Sequence, residues 1–427
     1  MDTIVALATA RGRAGVAVIR VSGSLAWSVC EQICGRVPEE RVATLTAMRN
    51  ADGLLIDRGV VLVFGEGRSF TGEEICEFQV HGSVAVVSAI LAACLAIDGV
   101  RTAEPGEFTR RAFIAGQMDL TEVEALADLI DAETEGQRRQ AMQMLDGSAG
   151  RLVDQWREDL LEALAMLEAS MDFADEEIPD DLSELVRAPL ERLGAGLQSQ
   201  IAGRKAAETV RDGFEVAIVG KVNAGKSTLL NALSRREAAI TSERAGTTRD
   251  VIEVRMDVGG FAVTLMDTAG WRETDDEIER VGIDRGLARA RKADLRICLL
   301  VEPDEEPEDV VCSKDIVVLA KSDLRGREGI SAVTGQGLDW LMSEIVTRLE
   351  MTTRESSAFS RQRHFDKLER AERCLAEALE MLDLGQGYWE LVSQMLREAL
   401  RCLDGIVGRV DVEDVLGRIF SSFCIGK

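Results

Sequence analysis

Phe214-Glu215-Val216-Ala217-Ile218-Val219, followed by Gly220-Lys221-Val222-Asn223-Ala224-Gly225-Lys226-Ser227 and then Thr228-Leu229-Leu230, decides the fold of the middle of this chain. A short β-prone apolar run ends at a glycine, a GxxxxGKS loop follows, and a helical pattern begins. That is the strand–loop–helix context a phosphate-binding loop requires. Its glycines let backbone N–H groups close around a phosphate. Lys226 reaches toward the β- and γ-phosphates, and the Ser227 hydroxyl suits Mg²⁺. The expected nucleotide contacts are therefore Asn223, Ala224, Gly225, Lys226, Ser227 and Thr228.

Three further stretches follow in the order of a guanine-nucleotide hydrolysing domain. Gly246-Thr247-Thr248-Arg249-Asp250 reads as a first switch segment, with Thr248 completing the Mg²⁺ shell and Ser242, Glu243, Arg244 and Ala245 just ahead of it. Asp267-Thr268-Ala269-Gly270 ends the apolar run Phe261–Met266. There Asp267 is expected to hold Mg²⁺ through water, and the Gly270 N–H to sense the γ-phosphate. Ser331-Ala332-Val333, with Gly335, reads as the loop that touches the base. Taken singly, a DTAG or a Ser-Ala pair is usually just a turn; in order, each after an apolar run, they point to GTP hydrolysis.

Two departures matter. Where Asn-Lys-x-Asp is expected, the chain has Ala320-Lys321-Ser322-Asp323. Asp323 can still accept from guanine N1–H and N2–H₂, but the bracing side chain is gone, so weak affinity is expected. Trp271 stands where Ras-type proteins place the glutamine that orients the attacking water, and an indole cannot do that. An arginine finger (Arg244, Arg249 or Arg272) or a bound cation must supply the missing charge.

Outward from this domain, residues 118–210 and 352–427 carry helical periodicity, and residues 1–117 alternate short β-rich runs with helical stretches, an α+β pattern. The G domain, residues 211–351, is thus read as an α/β insert within a helical domain. Leu120, Val123, Leu126 and Ile130 recur at helical spacing, with Thr121 and Glu124 fitting a capping box. The longest apolar run, Val84 to Ile97, is too short for a bilayer and reads as a buried helix. Nine cysteines without CxxC pairs, and only two histidines, argue against a disulfide framework or a zinc site and for a reducing cytoplasm. The opening residues carry no export signal. A net charge of −25 disfavours a chain that grips RNA unaided; a partner would supply positive surface, or the acidity simply serves solubility.

GTTRD with DTAG resembles the TrmE–Era–EngA group of GTPases, and the flanks narrow this to the MnmE (TrmE) family. The tail Ser421-Ser422-Phe423-Cys424-Ile425-Gly426-Lys427 is similar to the family's. So are Asp2–Ala6, Arg13–Val16, Ile19–Gly23, Thr71-Gly72-Glu73-Glu74, His81-Gly82 and Pro105-Gly106-Glu107-Phe108-Thr109 with Arg111-Ala112-Phe113. The resemblance implies a multidomain protein: a folate-binding, dimerising N-terminal domain, a helical domain and an inserted Ras-like G domain. It further implies a homodimer working with an FAD-containing, MnmG-like partner in a heterotetramer or larger complex. That complex modifies C5 of the wobble uridine of certain tRNAs with methylene-tetrahydrofolate carbon. By the same resemblance, Arg20, Glu77, Gln117 (a lysine in the family) and Lys427 hold the folate. Asn223, Ser242, Arg244 (through its backbone) and Thr247 bind K⁺, and Glu279 and Cys424 are catalytic. Without the family, Arg20 and Glu77 read as surface charges, Glu279 as a solvated helix start and Cys424 as an idle thiol. The rival functional reading is a regulatory, Era-like ribosome-assembly GTPase, although no basic KH-type segment stands out.

Overall fold

The computed structural model describes residues 2–172, 182–236, 253–267, 288–307, 310–326, 328–354 and 356–410, together with 416, 419, 420 and 426. Two compact units emerge, residues 1–127 with 404–427 and residues 128–403.

The first unit is built on six strands: β1 (Thr3–Leu7), β2 (Ala14–Ser22), β3 (Thr44–Arg49), β4 (Leu55–Phe64), β5 (Ile75–Gly82) and β6 (Val100–Thr102). Their spatial order is β3-β4-β5-β2-β1-β6. Every pairing is antiparallel except β1 with β6. Because strand side chains alternate, Val5, Ile19, Val21, Val61, Val63 and Phe78 point to one face. There they pack with α1 (Ala26–Cys34) and α2 (Val84–Leu95). Ile4 and Ala6 point to the other face and meet Phe108 of α3 (Glu107–Ile114). Gly59 of β4 has no substitute, since a Cβ there would stand 2.2 Å from the Gln79 carbonyl oxygen.

Two expectations need correction here. The Val84–Ile97 run is a helix, but only Ile90 and Cys94 are buried, and Val84 is 67% exposed. An all-round apolar helix packs one side on the sheet, and composition cannot say whether the other is covered. At α4 (Leu120–Asp131) the capping box is not Thr121 with Glu124. Asp119 accepts from the Glu122 N–H at 2.8 Å, and Glu122 accepts from the Asp119 N–H at 2.7 Å. A carboxylate one residue ahead of the helix satisfies the free N–H groups directly, and Thr121 instead donates to Asp119.

In the second unit, helices α5 (Glu135–Leu145), α6 (Ser148–Asp172), α7 (Leu182–Ala202) and α8 (Arg204–Asp212) precede a five-stranded sheet. The helices Gln362–Leu382 and Trp389–Val407 follow it. The strands are β7 (Phe214–Val219), β8 (Glu253–Val258), β9 (Phe261–Asp267), β10 (Leu295–Leu300) and β11 (Ile316–Leu319), ordered β11-β10-β7-β9-β8. Only the β8–β9 hairpin is antiparallel. The central strand β7 is apolar on both sides. Val216 and Ile218 pack with Leu229, Leu230 and Leu233 of α9 (Lys226–Arg236), and Ala217 and Val219 pack with Ala290, Ala293 and Cys298. That is the pattern of a parallel strand buried on both faces.

Candidate functional site

Strand β7 delivers the loop 220–227 to the carboxyl edge of the parallel sheet, where α/β folds bind ligands. Gly220, at φ 142°, passes so near β10 that a Cβ would lie 2.6 Å from the Leu299 carbonyl oxygen. Asn223 takes the left-handed conformation at φ 63°, which asparagine tolerates better than most residues. Lys226 is 6% exposed, and its Nζ donates to the carbonyls of Gly220 (2.8 Å) and Lys221 (3.0 Å), curled into the loop it serves. One residue on, the Ser227 hydroxyl donates to Asp267 Oδ2. The other carboxylate oxygen, Oδ1, is buried with no hydrogen-bond partner among the described residues. A hydroxyl beside an unsatisfied carboxylate oxygen is a donor set suited to a hard cation, so the residues fit Mg²⁺.

The base side lies across a cleft of about 610 Å³ whose lining includes Lys221, Val222, Asn223, Val301 and Lys321. Lys321 is itself left-handed at φ 59°, and Asp323 sits in the short helical turn that follows. The Ser322 N–H donates to the Ile330 carbonyl at 3.1 Å, which sets the 331–335 loop beside this turn. Ser331 is fully buried, with its hydroxyl accepting from the Thr334 N–H at 3.2 Å. Ala332 packs partly into the core, while Val333 is 79% exposed. Thus Asn223, Ala224, Gly225, Lys226, Ser227, Thr228, Asp267, Lys321, Asp323 and Ser331 share one edge of one sheet. Ser242, Glu243, Arg244, Ala245, Gly246, Thr247, Thr248, Thr268, Ala269, Gly270, Trp271, Glu279, Cys424 and Lys427 lie outside the described residues.

In the N-terminal unit, register makes Arg20 of β2 the direct neighbour of Glu77 of β5. Arg20 Nε donates to Glu77 Oε1 at 2.8 Å, and the guanidinium lies over the rings of Phe70 and Phe108, 5.4 and 5.7 Å from their centroids. Among the described residues nothing else bonds the two terminal nitrogens of Arg20 or Glu77 Oε2. Donor and acceptor edges beside two rings fit a flat heterocycle such as a pterin. Gln117 stands over the 71–74 turn, its Nε2 3.6 Å from where a Cβ on Gly72 would be.

Behind this face lies a charge network. Arg111, 5% exposed, reaches Asp2 (2.9 Å), Glu73 (3.0 Å) and Glu107 (3.0 Å), and Arg101 also binds Glu107. Ser22 donates to Glu73 at 2.7 Å and lies 2.7 Å from the Thr71 hydroxyl. Burial alone would raise the Glu107 carboxyl, but Arg101, the Glu104 N–H and Arg111 reverse this and hold it at about 2.

Residues 3–117 match the family described as the GTP-binding protein TrmE N-terminus, and residues 120–424 match the MnmE helical domain. Proteins named tRNA modification GTPase MnmE from Cereibacter sphaeroides and Roseobacter denitrificans are 52% and 49% identical to it, each over 100% of both chains. The chain belongs to the MnmE (TrmE) family of tRNA modification GTPases. A weak structural likeness to the G domain of the T. maritima FeoB iron transporter (TM-score 0.24, 22% identity, 32% of this chain, 98% of that one) adds nothing to the assignment.

Within this MnmE family member, Phe70 carried no signal in the sequence, whereas Glu73, Glu107, Phe108 and Arg111 stood out only as family markers. Their only sequence signal was their place inside the TGEE and PGEFTRRAF blocks. No helix among the described residues is long and apolar enough to cross a membrane.

Proposed function

We propose that this chain is the GTP-hydrolysing subunit of a complex that modifies C5 of the tRNA wobble uridine. It works as a homodimer with an FAD-containing, MnmG-like partner, and the product carries an aminomethyl or carboxymethylaminomethyl group. The observation that carries the reading is the convergence of Lys226, Ser227 and the unsatisfied Asp267 oxygen at one sheet edge, in a chain matched end to end by MnmE proteins.

In this reading the loop N–H groups and Lys226 bind the β- and γ-phosphates, and Asp323 selects guanine. Ser227, Thr248 and Asp267 would hold Mg²⁺, which would supply neutralisation of phosphate charge. Asn223, Ser242, Arg244 and Thr247 hold K⁺, placing charge where Trp271 leaves none, and Glu279 orients the attacking water. Arg20 and Glu77, with Gln117 and Lys427, hold a tetrahydrofolate that supplies the one-carbon unit, and Cys424 serves the transfer. Gln117 lacks the charge of the family's lysine, so any contact it makes there would be uncharged.

Nucleoside analysis of tRNA from a strain lacking this chain tests the proposal, alongside GTP turnover of the purified protein in KCl and in NaCl. Loss of modified wobble uridine, restored by the intact gene, and turnover confined to KCl are expected. Unchanged wobble uridines with a ribosome-assembly defect would move the chain to the Era-like role, and equal rates in both salts would return the arginines to the phosphate site.

A further inference from the structure

The guanine turn lacks its bracing asparagine, and the same cleft contains a tie of another kind. Ala320 is 8% exposed and packs in the core of the sheet, but it has no polar side-chain atom to tie the turn; its backbone N–H donates to the Leu300 carbonyl at 2.8 Å. Leu300 ends β10. Directly after it, the Val301 and Glu302 N–H groups donate to Glu305 Oε2 at 2.8 and 3.3 Å. The other oxygen of that carboxylate, Oε1, accepts from Lys221 Nζ of the phosphate loop at 2.8 Å. One side chain therefore joins the loop to the strand end from which Ala320 hangs. Its own side chain is 8% exposed, whereas that of Lys221 is 66% exposed.

Lys221 matters because its carbonyl organises the groups that face phosphate. It accepts from the Ala224 N–H at 3.1 Å and from Lys226 Nζ at 3.0 Å. A shift of Lys221 moves a backbone donor and the phosphate lysine together.

We propose that Glu305 is a positioning residue for the nucleotide: by holding Lys221 it braces the phosphate loop against β10, in place of the brace Ala320 cannot provide. Burial would raise this carboxyl, but Lys221 and the two N–H groups hold it below the ordinary range, so the brace is charged at neutral pH. The inference rests on the GTP reading and goes beyond it, since nothing in the GTPase motifs assigns residue 305.

Titration of the full-length protein with a fluorescent GTP analogue, with thermal melting of the same samples, is the test. Glu305→Gln keeps the shape and removes the charge. It should weaken GTP binding about three- to tenfold, a range set by a pair exposed on its lysine side, and leave the melting midpoint unchanged. Restoring the motif with Ala320→Asn should recover most of that loss in the Glu305→Gln background and gain less in the unmodified protein. Two braces on one loop are not additive. Equal affinities for Glu305→Gln and the unmodified protein overturn the inference, as does an equal gain from Ala320→Asn in both backgrounds. A melting drop matching the loss of affinity overturns it too, because it makes Glu305 merely structural. An unmodified protein that binds no GTP sinks the nucleotide reading itself, which is a separate result.

Discussion

In the N-terminal unit Arg111 sits against three carboxylates, those of Asp2, Glu73 and Glu107, and scarcely touches solvent. In the second unit Lys226 is buried to the same degree, but it leans on the carbonyl oxygens of Gly220 and Lys221. Carboxylates cancel a positive charge, whereas carbonyl dipoles orient it. Similar burial thus serves two purposes. The first charge ties the folded unit together, and the second, in the proposed function, meets phosphate. The neighbouring groups follow suit: Arg101 and Ser22 complete the first network, while Ser227 and Asp267 converge beside the second charge.

The sharpest test of this contrast is reciprocal. Arg111→Ala strands buried carboxylates and should cost about 3–5 kcal/mol of stability in urea denaturation, with GTP turnover per folded molecule unchanged. Lys226→Ala should cut GTP turnover at least about a hundredfold while shifting stability by no more than about 1 kcal/mol. An Arg111→Ala protein as stable as its parent, or a Lys226→Ala protein that unfolds, would break the distinction.

The same contrast explains what the sequence made legible. A phosphate loop works through its own backbone, so its chemistry is written in eight consecutive residues, and strand, loop and helix appear where spacing predicts them. Asp323 and Ser331 were proposed for the same reason, each lying in a short local motif. The Arg20–Glu77 site is different. Its pair is 57 residues apart, and Phe70 and Phe108 join it from a turn and a helix. Only the β2–β5 register and the packing of α3 bring them together, and no local pattern encodes either. The misplaced capping box at α4 has a related cause: Asp119 and Thr121 both precede a glutamate by three, and pattern alone does not say which ends the loop. Glu305 had no signal at all in an acidic stretch of Glu302, Asp304, Glu305 and Glu306.

A second test uses pH. Glu107 is held at about 2, below its ordinary 4.5, chiefly because Arg101, the Glu104 N–H and Arg111 outweigh the cost of burial. A depressed carboxyl contributes fully above the unfolded value and loses that contribution as pH falls through the folded one. The N-terminal unit should therefore lose about 2–3 kcal/mol between about pH 4.5 and pH 2, seen as a falling urea midpoint. Glu107→Gln should start lower at neutral pH and show a flatter acid limb. Parallel pH profiles for the two proteins would remove Glu107 from the network's stabilising charges.

The smallest effect expected is also the most discriminating, because it asks whether side chains or backbone build each site. Phe70 contributes a ring 5.4 Å from the Arg20 guanidinium, an interaction worth about 0.5–1 kcal/mol at a partly exposed position. Phe70→Leu keeps apolar bulk and removes the ring face, so Arg20 should be less firmly aimed. Tetrahydrofolate binding, followed by calorimetry, should weaken about two- to fivefold with the fold intact. The matching change in the phosphate loop is Val222→Ala. Val222 is 40% exposed, and the expected ligand contacts of the loop are backbone N–H groups, Lys226 and Ser227, so GTP affinity should not move. If Phe70→Leu is silent, Arg20 is aimed by Glu77 and Phe108 without help from the second ring. If Val222→Ala weakens GTP as much as Phe70→Leu weakens folate, side chains shape the phosphate loop too, and the two sites differ less in construction than their hydrogen bonds imply.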